Sequence, residues 1–202
     1  GIFADLRKQS AGGMGERGFS VHPIGGIVPL MERQRYRELV EIILACREHI
    51  PWNRPIHMFG CGHPMLFPMA IALGADLFDS AAYAIFARDD RLLSPEGTIK
   101  LGSLTEWPVT SSALFGRTPG EVREMDEEER SVLLAHHNLE VTQTELAKCR
   151  EAVREGRIWQ LAERRSHVNP QLREAFLWVL DQLEEIPDDQ SGEADILILA
   201  ST

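Results

Sequence analysis

PIHMFGCGHPMLFPMAIALGADLFDS, residues 55–80, sets two short extended runs around a helical one. Residues 55–60 read as a strand that ends on Gly60-Cys61-Gly62. The run from His63 to Leu73 is mostly apolar and reads as a helix. Pro64 is tolerated in its first turn, where a backbone N–H would have no helical partner. Pro68 further in predicts a kink. Gly74 ends the helix, and ADLFDS, 75–80, reads as the next strand. Upstream, GFSVHPIGG, 18–26, reads as a strand running into a glycine turn. The segment 32–49 repeats Tyr36, Leu39, Val40, Ile43 and Leu44 at helical spacing, until Pro51 and Pro55 break it. Strand–helix–strand–helix–strand is the pattern of parallel βα units, an α/β class. Three such strands need the rest of a sheet or barrel around them.

Downstream the character changes. Thr118-Pro119-Gly120-Glu121 starts a helix, with Thr at the cap and Pro at the first helical position. An acidic stretch, EMDEEER, follows at 124–130. Residues 142–155 read as a helix opened by a Thr142-to-Glu145 capping box and closed by Gly156. Residues 157–166 and 170–185 read as two more helices. PDDQSGE, 187–193, reads as a linker, and ADILILA, 194–200, as the start of a further strand. The chain opens on Gly1 rather than Met, which suggests residues before it.

The 202 residues are 44% hydrophobic and 26% charged, an ordinary globular balance. No apolar run suggests a membrane span, and GIFADLRKQSAGG lacks a signal-peptide pattern. Three cysteines, Cys46, Cys61 and Cys149, are far apart, so neither a disulfide framework nor a CxxC pair is read. A reducing cytoplasm is expected. Cys46 and Cys149 fall in helical pattern and are expected to be small buried hydrophobes. A net charge of −10 argues against a simple RNA-coating module, although phosphate contacts need only a local patch.

Chemistry is expected at the ends of the strands, where parallel βα folds bind ligands. Gly25-Gly26, Gly60-Gly62 and the Asp79-Ser80 corner all follow strands there. GCG is not a dinucleotide fingerprint. Asp79, beside apolar neighbours, suits a nucleophile or base; as a bare composition it suits the N-cap of the following apolar run better. His22, His57 and His63 sit beside strand ends and are each more simply hydrogen-bonded structural residues than ligands. Arg88, Arg91, Lys100, Arg117 and Arg123 are either a solvated face or a phosphate track.

HMFGCGHPMLFPMAIALGADLFDSAAYAIFARDDRLLSPEGTIKL, 57–101, resembles the archaeal tRNA-guanine transglycosylases in its FGxGHP, DLFDSAxYAxxARD and PEGT segments. The resemblance extends to FADLR (3–7), IGGIVPLME (24–32), RTPGEV (117–122), LLAHHNLEVT (133–142) and the G-x-x-W-x-L-x-E-x-R run from Gly156 to Arg165. It implies the C-terminal part of a TIM-type (β/α)8 barrel followed by a helical segment. On that reading residues 1–104 hold the last barrel strands and helices, 105–140 the equivalent of a zinc subdomain, 141–187 helices packed on the barrel, and 188–202 a linker and further strand. It implies tRNA and a 7-deazaguanine-type base as partners, with a homodimer or partner subunit in view and no membrane. By position it makes Asp79 the catalytic carboxylate that attacks the ribose, and Gly25 and Gly26 the backbone that contacts the base. Arg88, Arg91, Lys100 and Arg117 are the candidate tRNA phosphate contacts. The family's base-reading glutamine and its acid/base aspartate would lie before Gly1.

One stretch departs from the family. Where it carries a CxCxxC run, this chain has WPVTSSALFG, 107–116, with Val109, Ser111 and Leu114 at the cysteine positions and His137 near the fourth ligand. One histidine cannot hold a structural zinc, so no metal and no other cofactor is expected. Packing by Val109, Leu114 and Phe115 is expected instead. The lost cysteines and the trailing strand favour a paralogue of the archaeosine synthase type, which acts on tRNA already carrying the modified base. The alternatives are an active transglycosylase that exchanges guanine through a covalent Asp79 intermediate, and a non-catalytic tRNA-binding subunit.

Overall fold

A computed structural model describes residues 1–184. The chain enters through helix α1 (Ala4–Gly15) and strand β1 (His22–Ile24), then helices α2 (Val28–Glu32) and α3 (Tyr36–Arg47). Strand β2 (Ile56–Phe59), helix α4 (Phe67–Ala72), strand β3 (Leu77–Asp79) and helix α5 (Ala82–Arg88) follow. A hairpin of β4 (Arg91–Ser94) and β5 (Gly97–Lys100) leads to α6 (Pro119–Arg123), α7 (Glu127–Arg154), α8 (Ile158–Ser166) and α9 (Pro170–Glu184). The strand-like run at 194–200 lies outside the described residues.

The βα alternation forms as read: β1, β2 and β3 lie side by side in parallel. The barrel does not. The described residues make a mostly helical fold with two small open sheets, one of three strands and one of two, and neither closes. The alternation stops after α5, where the chain turns into an antiparallel hairpin instead of a fourth parallel strand. A closed ring of this kind takes about eight strands tilted around an axis. The assignment to an α/β barrel is therefore corrected to a helical fold around a short open sheet.

Side chains alternate across that sheet, as the period of two requires. Ile24, Ile56 and Met58 are buried on one face, in a core shared with helices α3, α4, α8 and α9. The other face carries Pro23, His57, Phe59, Leu77 and Asp79, and Phe59 and Leu77 on it are exposed. A second, smaller core gathers Ala87, Leu92, Leu101, Leu114, Val122 and Leu134 under the hairpin and α7.

Three local readings change. Pro68 does not kink a helix: residues 64–66 form a 3₁₀ turn and Pro68 stands in the first turn of α4, where its missing N–H costs nothing. Thr142 caps nothing, because 127–154 is one continuous helix whose N-cap is Asp126, accepting from the amides of Glu128 and Glu129. The Thr142 hydroxyl donates back to the Asn138 carbonyl at 2.7 Å. Phe115, expected to pack, is 87% exposed, while Leu114 beside it is buried.

Asn138, fully buried on α7, ties the smaller core together. Its carboxamide oxygen accepts from the Leu93 amide at 2.7 Å, and its nitrogen donates to the carbonyls of Tyr83 and Arg91. These bonds satisfy backbone groups on β4 and on α5. The ends of α5 and β4 are thereby fixed relative to α7.

Candidate functional site

The C-terminal ends of β1, β2 and β3 face the same way, and each runs into one of the turns singled out in the sequence. Register places Ile24 beside Met58 and Met58 beside Phe78, with Phe59 beside Asp79. Carried one residue on, Gly25 falls level with Phe59 and Asp79, two strand spacings or roughly 10 Å from the latter. A side chain at Gly25 would meet nothing within 4 Å, so the backbone there is open to a ligand. Its carbonyl accepts from Arg7 at 2.8 Å, which anchors the loop from α1.

Asp79 is not a helix cap. The N-cap of α5 is Ala81, and the amide of Ala82 is satisfied by the Ser80 hydroxyl at 3.0 Å. The Asp79 carboxylate instead turns onto the uncovered face, its side chain 49% exposed. Its Oδ1 accepts from His57 Nε2 at 2.8 Å and from the Gly60 amide at 3.0 Å. Gly60 has φ +86°, and a Cβ there would sit 2.6 Å from Val28. At Gly62 a Cβ would collide with Ser80, 2.1 Å away. The two glycines let the β2 turn lie close enough to hold the Asp79-Ser80 corner. Asp76, three residues back, is structural: it accepts from the Ile56 amide at 2.8 Å.

Other titratable groups near this corner are quiet. Burial, with a contribution from Asp79, pushes the Cys61 thiol up to about 12, so it is no nucleophile. His63 accepts from the Met65 amide through Nδ1, so Nε2 carries the proton and donates to the Thr98 hydroxyl at 3.0 Å. A cavity of about 110 Å³ opens beside Asp79, walled by Phe67, Phe78, Tyr83 and Leu146. A larger cleft of about 310 Å³ lies at the opposite end of the sheet, around Arg47, Trp52 and Asp76, away from Asp79. Arg47 there is consumed by the carbonyls of Ile50 and Pro51.

A sequence model described as queuine tRNA-ribosyltransferase matches residues 1–171. The chain belongs to that family. It is 46% identical over 179 residues to the tRNA-guanine(15) transglycosylase of Thermococcus onnurineus, covering 89% of this chain and 31% of the relative. The protein of the same name from Pyrococcus abyssi is 45% identical over 179 residues, again 89% and 31%. That of Methanocaldococcus jannaschii is 44% identical over 187 residues, 91% of this chain and 28% of the relative. The chain thus spans about a third of the length of these relatives. The similarity places it among archaeal transglycosylases and does not single out a synthase-type branch.

Within the family framework, Ser111 lies against His137, but the residues at the cysteine positions do not fit a zinc ion. Ser111 Oγ lies 2.9 Å from His137 Nδ1, Leu114 is buried, and Val109 offers no donor. One imidazole and one hydroxyl are not a structural zinc set. The adjoining Ser112 is clasped by Glu140, which accepts from its amide at 2.7 Å and from its hydroxyl. The loop is therefore held by polar bonds to α7 as well as by Leu114, which the sequence reading missed. Among the described residues no His/Cys/Asp/Glu group stands in a metal-binding arrangement, and no helix is long and apolar enough to cross a membrane.

The basic residues are not equivalent. Arg91 and Lys100 face each other across the hairpin, with Arg88 at the end of α5 nearby in sequence. Arg91 stacks on Phe86 and bonds Asp89, so its guanidinium is already engaged. Arg88, Lys100 and Arg117 are exposed. Arg123 donates to the carbonyls of Leu101 and Leu104 and is part of the scaffold.

His63 and His137 are both kept neutral by burial, which lowers each to about 4; for His137 this outweighs the nearby Glu140 and the Leu93 backbone. In the unfolded chain a histidine takes up its proton near about pH 6.5. Between those values the unfolded chain binds more protons, so acidification favours unfolding. Stability should fall as the pH drops from about 6.5 towards 4, by up to about 1.4 kcal/mol per pH unit for each histidine. Urea unfolding across that range measures the slope, and His137→Gln should flatten it. An unchanged slope in that variant would remove His137 from the account.

Proposed function

We propose that this chain is the part of a tRNA-guanine transglycosylase that carries the nucleophile, and that the whole protein exchanges a guanine in tRNA for a 7-deazaguanine-type base. The observation that carries the reading is the Asp79 carboxylate, free of any capping role and level with the open backbone at Gly25, in a chain of this family. An Asp79 oxygen forms a bond to ribose C1′ as the C1′–N bond to guanine breaks, and the bonding pair leaves with the base, which takes up a proton. The incoming base gives up a proton, attacks C1′ and displaces the carboxylate, so the exchange is proton-neutral. This is the double displacement that a carboxylate supports at an anomeric carbon. The roughly 10 Å between Asp79 and Gly25 suits a bicyclic base with a contact of about 3 Å at each end. Gly26 and Gly25 are the backbone proposed to meet the base, and Arg88, Lys100 and Arg117 the groups proposed to meet phosphates.

A synthase-type role, acting after base exchange, is favoured by the absent cysteines at 109, 111 and 114. It weighs less than close similarity to proteins named as transglycosylases. The two differ in one measurement. The full-length protein is expected to incorporate labelled guanine into unmodified tRNA, and mass spectrometry of the trapped adduct should map the ribose to Asp79. No incorporation would reject base exchange, and an adduct at another residue would reject Asp79.

A further inference from the structure

The two hydrogen bonds at Asp79 both fall on one of its oxygens. His57 Nε2, at 2.8 Å, and the Gly60 amide, at 3.0 Å, converge on Oδ1, and among the described residues Oδ2 has no hydrogen-bond partner. His57 stands on β2 two residues before Phe59, the registered neighbour of Asp79, so both side chains project from the uncovered face. Its own side chain is only 23% exposed, and its ring packs edge-on against Phe59, which limits its freedom. We infer that His57 is a positioning residue for the nucleophile: with the Gly60 amide it pins Oδ1 and presents Oδ2 to the ribose. The inference rests on the proposed role of Asp79 and adds which oxygen attacks and what holds it.

An unrestrained carboxylate rotates about its terminal torsion, a broad two-fold well. Two donors on one oxygen remove that freedom before the substrate arrives, and preorganisation of this kind lowers a barrier without cost at the moment of reaction. The arrangement acts differently in the two half-reactions: it aims Oδ2 in the first and stabilises the leaving carboxylate in the second. When Oδ2 bonds C1′ and the pair on the old C1′–N bond leaves with guanine, Oδ1 becomes the carbonyl oxygen of the ester. It keeps both hydrogen bonds. When the second base attacks, the C1′–Oδ2 pair returns to the carboxylate and charge spreads back onto Oδ1, where the donors already wait. Charge-assisted bonds are the stronger ones, so they favour the departing carboxylate.

The test uses the full-length protein and labelled guanine exchange into tRNA. His57→Leu removes the donor, while His57→Gln keeps an N–H at a similar reach. The leucine variant is expected to lose about 10- to 100-fold in kcat, with KM for tRNA changed by less than about threefold. The glutamine variant should recover most of the loss. If the leucine variant does not fold, His57→Asn, polar but too short to reach Oδ1, replaces it with the same expectation. Wild-type kcat in the leucine or asparagine variant overturns the positioning role. So does a glutamine variant as slow as the other two at an unchanged melting temperature. Asp79→Asn separates the two levels: full exchange by that variant removes the nucleophile itself, whereas its inactivity beside a fully active His57→Leu removes only the role of His57.

Discussion

Asp79→Asn is expected to lower guanine exchange by at least about 10⁴-fold while leaving the melting temperature where it was. The two halves of this expectation have separate causes. An asparagine has the same size and retains an oxygen that can accept from the Gly60 amide and from His57, so the corner keeps its geometry. The native carboxylate is half exposed, and exposed charge pairs contribute little to stability. What the substitution removes is the anionic oxygen proposed to bond C1′. A carboxamide does not displace a base from a ribose, and among the described residues no other carboxylate lines the cavity beside it. Asp76 cannot substitute, since it sits at the far end of β3 and is spent on the Ile56 amide. Single-turnover incorporation of labelled guanine and a denaturing gel for the protein–tRNA adduct give the rate and the intermediate together. Exchange above about 1% of wild type would remove Asp79 as nucleophile.

How much of this was legible in the sequence differs from residue to residue. The parallel strands were, because the extended runs 18–26, 55–60 and 75–80 are separated by helical runs and lead into Gly25-Gly26, Gly60-Gly62 and the Asp79-Ser80 corner. The closed ring was not. It came from the family resemblance, whereas the described residues stop at three parallel strands and continue into an antiparallel hairpin. The signal lies in Ser94-Pro95-Glu96-Gly97, a turn with Gly97 at φ +121°, which is also part of the PEGT motif. Thr142-x-x-Glu145 misled for a simpler reason. A capping box is defined by four residues, whereas whether a helix begins there depends on what lies before it, and Asp126 had already begun one. At the site, Asp79 was named from the motif, and its partner was not. His57 lies 22 residues away on another strand, and nothing along the chain says that two side chains on adjacent strands share a face and a hydrogen bond. The same holds for Ser112 and Glu140, 28 residues apart.

Arg165→Met is expected to destabilise the protein by about 3–5 kcal/mol, the usual cost of stranding a buried charge. Glu145 lies in the middle of α7 with its side chain fully buried, and Arg165, in the last turn of α8, is its bidentate partner at 2.6 and 3.0 Å. Burial works against the charge on Arg165, but the hydrogen bonds and attraction of Glu145, then Glu96, outweigh it and raise the guanidinium's pKa. Glu96 sits in the hairpin turn, 3.4 Å from Arg165, so one guanidinium joins α7, α8 and the hairpin. Lys148, 3.6 Å from Glu145 and half exposed, is too wet to replace it. Methionine fills much the same volume without a donor, so the loss measures the stranded carboxylate rather than a cavity. In a domain of this size the cost corresponds to a drop of roughly 6–20 °C in melting temperature. The companion change Glu145→Leu, added to Arg165→Met, removes the stranded charge as well, and the double variant should regain most of the lost stability because an apolar pair of similar volume can replace a buried ion pair. A single variant that melts within about 2 °C of wild type, or a double variant no better than the single, would mean that the pair does not bear on stability as its burial implies.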